Sequence, residues 1–67
     1  MSFADALEER KELVSTIAQL EIMAQKVEEL NDAKGVRAIR DRITGFQADL
    51  DELEENLAEV RQALARL

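Results

Sequence analysis

The chain contains no cysteine, histidine, proline, tryptophan or tyrosine, and only two glycines. Without cysteine it forms no disulfide, and without cysteine or histidine it lacks the usual zinc ligands. The same gap removes the commonest nucleophile and general base, and Ser2 and Ser15 have no positioned base to activate them. Aromatic residues are limited to Phe3 and Phe46, so the interleaved stacking groups of single-strand binders are missing. No apolar run approaches the ~18 residues of a membrane-crossing helix. The opening MSFADALEER has neither the basic start nor the apolar stretch of a secretory leader. The expectation is a cytoplasmic, non-enzymatic protein with no cofactor and no metal.

What is present is charge and aliphatic residues. Charged side chains make up 36% of the 67 residues and apolar ones 46%, the balance of long helices and coiled coils. The formal net charge is −6, which opposes general attraction to nucleic acid or to an anionic membrane. A chain this short buries only about 60% of its unfolded surface, so its own core is marginal. Disulfides and metals being excluded, oligomerisation is the remaining support.

The strongest pattern lies in the second half. Val36, Ile39, Ile43, Phe46, Leu50, Leu53, Leu57, Val60, Leu64 and Leu67 alternate in steps of three and four. Every a and d position of that heptad repeat is apolar, so the segment is a helix that must lie along another helix. In the first half a looser frame places Phe3, Arg10, Ile17, Ala24 and Asn31 at a, and Ala6, Leu13, Leu20 and Val27 at d. Its apolar face is broader than a seam. Leu7 and Val14 flank it on one side, Met23 and Leu30 on the other, and Ile22 lies nearly opposite. A helix with so wide a face normally touches more than one neighbour.

The two frames are out of phase, and between them lies Asn31-Asp32-Ala33-Lys34-Gly35. Asn tolerates the left-handed conformation that ends helices, Asp is a good N-cap, and Gly commonly follows a helix end. The reading is an all-α antiparallel hairpin, with helices over about 3–31 and 36–67 and a turn over about 31–35, dimerising into a four-helix bundle. Ser2, three residues before Asp5, is the candidate cap of the first helix. Centred on residues 33 and 34 to within a residue or two, because antiparallel layers can stagger a against d, the expected pairing sets Val27 against Ile39, Ala24 against Ile43, Leu20 against Phe46, Ile17 against Leu50 and Leu13 against Leu53. Further out it sets Ala6 against Val60 and Phe3 against Leu64. The alternative, one unbroken helix absorbing the phase change, would be a rod about 100 Å long.

Charge is segregated on the second helix. Lys34, Arg37, Arg40 and Arg42 crowd its start, and Asp49, Asp51, Glu52, Glu54, Glu55 and Glu59 follow. Cations at a helix N-terminus oppose the macrodipole, so compensation is expected from Glu28 and Glu29 across the hairpin. Arg10 and Lys11 would likewise face the Glu54–Glu59 region. The basic cluster is also a candidate contact for phosphate or an acidic partner.

In size and hairpin design the chain resembles the small RNA-binding plasmid regulators of the Rop type, without a shared motif. That resemblance implies RNA contact through the basic cluster. Gln47-Ala48-Asp49-Leu50-Asp51 is similar to the Ser-Gln-x-Leu-Asp motif of a family of sporulation phosphatases at Leu50 and Asp51 only. Neither family is adopted. The functional expectation is a self-associating protein-interaction or assembly module that presents a surface to helical partners. The alternative is a regulator of nucleic-acid machinery, acting through the basic cluster or by acidic mimicry of nucleic acid.

Overall fold

The computed structural model describes residues 2–67. Two helices, α1 (Phe3–Glu29) and α2 (Ala33–Ala65), pack against each other as a hairpin with no strand among the described residues. The body measures 55 × 16 × 15 Å.

Both helix starts are capped by short side chains. Ser2 has extended backbone, and its Oγ accepts the Asp5 N–H at 3.1 Å. Asp32 Oδ1 accepts the Gly35 N–H at 3.0 Å. Each bond satisfies one of the donors that a helix start leaves free. The first turn of α2 holds no acid, so the Asp32 carboxylate just before it is what offsets the dipole against the cations that follow.

The connection is shorter than expected. It occupies Leu30–Asp32, where the sequence pattern placed it at about 31–35. Asn31 takes a left-handed conformation, φ 59°. Its N–H donates to the Glu28 carbonyl at 2.9 Å, and the Asp32 N–H reaches the Val27 carbonyl at 3.4 Å. That pair of bonds is a Schellman closure, with Asn in the position glycine usually holds. Asp32 therefore ends α1 through its backbone and starts α2 through its side chain. Gly35, expected to break the chain, lies inside the first turn of α2. A Cβ on it would stand 2.6 Å from Asp32 Oδ2 and 2.8 Å from Val27 Cγ1, so the residue is small because the cap and Val27 fill that space.

The short turn shifts the register. Ala6 is buried with Leu53 and Leu57, and Leu13 packs against them. Phe3 shares a groove with Leu57 and Val60. The expected partners were Val60 for Ala6 and Leu64 for Phe3, so the far end has slipped by about one helical turn. The cause is the missing length in the connection, which moves the centre of the hairpin to Asn31.

The core is aliphatic throughout. Ala6, Ile17, Ala24, Ile43, Leu53 and Leu57 are buried, and no polar or charged side chain is buried among the described residues. Leu13, Leu20, Val27, Ile39, Phe46 and Leu50 are half-buried. Ala24 (1% exposed) and Leu57 (3%) are the most enclosed of the core. Val60 and Leu64, expected in the intrachain seam, are instead exposed, because the slipped register leaves too little of α1 to cover them.

Truncating Leu57 to Ala should cost about 2–5 kcal/mol of stability. Truncating Leu64, 56% exposed, should cost under ~1 kcal/mol, because little apolar area is lost. Urea melts of the two variants at one protein concentration check the contrast.

The glycines should behave oppositely. A Cβ on Gly45 would meet nothing within 4 Å, so Gly45→Ala should stabilise by about 0.5–1 kcal/mol through helix propensity. Gly35→Ala should destabilise by about 1 kcal/mol or more, through displacement of the Asp32 cap or Val27. Equal shifts of the same sign in thermal melts would remove this account of Gly35.

Candidate interaction surface

The helices differ in how much of their apolar surface the hairpin covers. The apolar residues of α2 form one stripe, and along most of the hairpin that stripe meets α1. On α1, Leu7, Val14, Ile22, Met23 and the flanking Leu30 remain between 37% and 77% exposed. This is where the structure places all five residues read from the sequence as an outward-facing set.

They do not form one patch. Two flanking lines run along α1, one on each side of the plane through the helix axes. The first face carries Leu7 and Val14 and continues, at seven-residue steps, through Glu21 and Glu28. Its counterpart on α2 is Arg40, Gln47, Glu54 and Arg61. The second face carries Met23 and Leu30, close to the turn. Exposed Ala18 lies beside Val14 on the first face, with Ile22 at its outer edge.

Two ion pairs lie on the first face. Glu28 Oε2 stands 4.0 Å from an Arg40 guanidinium nitrogen, and Arg10 Nε stands 3.8 Å from Glu54 Oε1. Both are long, and all four side chains are 43–67% exposed. Pairs of this kind contribute about 0–1 kcal/mol each and favour the antiparallel arrangement more than they hold it. No ion pair joins Glu29 to Arg37, or Lys11 to α2, among the described residues. Lys11 instead lies over the outer groove of α1 beside Glu8, Glu12 and Ser15.

Three of the four basic residues at the start of α2 share one side of the helix. Lys34, Arg37 and Arg40 follow one another in steps of three, each about 60° from the last, and Arg42 lies on the opposite flank from Arg40 because two residues turn a helix by about 200°. All four are exposed, and Arg40 is engaged with Glu28. The acids of α2 spread around the helix, and no group of three or more acidic side chains among the described residues is arranged to hold a metal ion.

One apolar area was not anticipated. Phe3 and Val60, each 40% exposed, open with Leu64 at the end away from the turn. The heptad pattern assigned these residues to the intrachain seam. The short connection at Asn31 leaves α1 ending level with Val60, so Leu64 has no helix opposite it.

No protein family, no curated protein and no solved structure matches this chain. Among the described residues no helix is long and apolar enough to cross a membrane.

Arg10 occupies an a position of α1, half-buried, with only a 3.8 Å pair to Glu54. A long charged side chain there lies its stem along the seam and holds its head at the rim. Arg10→Leu should therefore raise stability by about 0.5–2 kcal/mol, since apolar burial replaces a weak exposed pair. An unchanged or lower midpoint in chemical denaturation would show that the arginine is structurally required.

Proposed function

We propose that this chain is a non-enzymatic protein-interaction module that works by self-association, with two hairpins packed as an antiparallel four-helix bundle. The observation that carries this reading is the exposure of five large aliphatic or thioether side chains on and beside one helix of a 67-residue protein. Scattered apolar residues on a surface need no explanation, but Leu7 and Val14, with Ala18 beside them and Ile22 at the edge, share one face of α1, and grouped residues mark contact sites. A second hairpin supplies what α2 cannot, another helix alongside α1. Small Ala18 beside Val14 permits close approach of that helix. A marginal core gives the association thermodynamic weight, because burying one flank of α1 adds apolar area that the lone hairpin leaves wet.

A non-enzymatic reading is supported by the absence of cysteine and histidine from the sequence. The hydroxyls of Ser2 and Thr44 are engaged in helix geometry, Ser2 as the N-cap and Thr44 donating to the Arg40 carbonyl at 3.1 Å. Of the basic residues that would support nucleic-acid contact, Arg40 is engaged with Glu28 and Arg42 lies on the opposite flank, and the net charge of the chain is −6. Interaction with protein is the reading the surface favours.

Folding coupled to association makes the melting temperature rise with protein concentration. Sedimentation equilibrium at micromolar concentration should give a dimer, and the thermal midpoint should rise by several degrees between 5 and 500 micromolar, in rough proportion to the logarithm of concentration. A stable monomer with a concentration-independent melt overturns self-association.

A further inference from the structure

We infer that the second hairpin docks on the first face, related to its partner by a two-fold axis that lies in the contact, perpendicular to the helices, at the level of residue 16 between Val14 and Ala18. This rests on the self-association reading and specifies its geometry.

The argument begins with sequence spacing on α1. Val14 and Ala18 stand two residues either side of Thr16, and Lys11 and Glu21 stand five either side. Lys11, Val14, Ala18 and Glu21 alternate in steps of three and four, so they lie along one stripe of the helix. A two-fold axis at the level of residue 16 reverses the stripe onto itself. It sets Val14 against Ala18 of the second copy, twice, and Lys11 against Glu21 of the second copy, twice. The centre is then apolar and small, and the charges outside it are opposite in sign. All four side chains are exposed in the hairpin and free for this use.

The charges of α2 agree independently. On the same face, Arg37 and Arg40 precede Gln47, and Asp51 and Glu54 follow it. An antiparallel second copy sets Arg37 against Glu54 and Arg40 against Asp51. A parallel copy would set like charges together. These pairs centre between Gly45 and Phe46. In the register fixed by Ala6 against Leu57, residue 16 stands level with residue 47, so one axis serves both helices to within a turn of ~5 Å. The cations that work against the α2 dipole thereby gain acidic partners. The Arg10–Glu54 and Glu28–Arg40 pairs, loose within one chain, sit at the rim of the same contact.

Size is adequate. One side of a body 55 by 16 Å projects to roughly 900 Å², against the ~800 Å² per partner of a standard stable interface. The opposite face does not fit the same operation, because the axis would press Met23 against Glu9. An isologous contact of this type closes at two subunits.

Charge reversal tests the symmetry. Lys11→Glu and Glu21→Lys should each weaken the dimer about five- to thirtyfold, since one substitution spoils two pairs across a two-fold. The doubly reversed chain, K11E with E21K, should return to within about threefold of the parent. The two singly substituted chains, mixed, should form a heterodimer tighter than either homodimer. A spin label at Ser15 should report an interchain distance under about 20 Å, and one at Ala4 about 36 Å, from 24 residues of offset at ~1.5 Å each. Circular dichroism confirms that each variant remains helical. A dimer indifferent to both single reversals, or with equal short distances at both labels, overturns this geometry and leaves self-association standing. A monomeric parent chain removes both.

Discussion

Two residues of the turn, Asn31 and Asp32, govern this fold. The hydrogen bonds of Asn31 and Asp32 to the Glu28 and Val27 carbonyls close α1 abruptly, and the Asp32 carboxylate opens α2 at once. A connection so short leaves no slack, so the level at which the helices meet is set at the turn and carried outward by their rigidity. From it follow the enclosure of Ala6 by Leu53 and Leu57, the exposure of Val60 and Leu64, and the match in level between Thr16 and Gln47. The left-handed Asn31 carries a conformational cost of roughly 1 kcal/mol relative to glycine, and two satisfied carbonyls offset it.

The second constraint is asymmetry between the helices. α2 has one narrow stripe and polar flanks, so it is nearly satisfied by a single neighbour. α1 has a seam with small residues at Ala6 and Ala24 and larger ones beside it. The small residues let the helices approach, which encloses Leu57 and Ile43, and the larger ones are left outside. Enclosure of the core and exposure of the flanks have the same origin in the order of residues along α1.

Much of this was legible before any coordinates. The unbroken steps from Val36 to Leu67 require a helix lying along a partner, and the change of phase marks where the chain turns back. The wide face of α1 was equally readable, because periodicity alone separates Leu7 and Val14 from Met23 and Leu30. The turn was legible in type and misplaced in extent. Glycine is the usual residue past a helix end, so Gly35 drew the boundary toward itself, whereas Asn31 took the left-handed role and Gly35 made room for Val27 and the Asp32 cap. The difference is only a few residues of connection. The displacement surfaced at the far end, at Phe3, Val60 and Leu64, while nearer the turn Glu28 still meets Arg40 as expected. The exposed end could not be read from pattern, because an a or d position is buried only when another helix reaches its level.

The elongation has a practical meaning for solution work. A compact globule of this length would have a radius of gyration of about 11 Å, and the hairpin has 15.7 Å. Such a particle diffuses and migrates as though it were heavier, so on a gel-filtration column a single hairpin would elute ahead of globular standards of its own 7.6 kDa. Two hairpins laid side by side would double the mass while adding little to the long dimension. Their frictional excess would be smaller than that of one alone, and the two species would elute closer together than their masses imply. Apparent size by elution is therefore a poor witness to the assembly of this fold, and mass must be read by a method blind to shape.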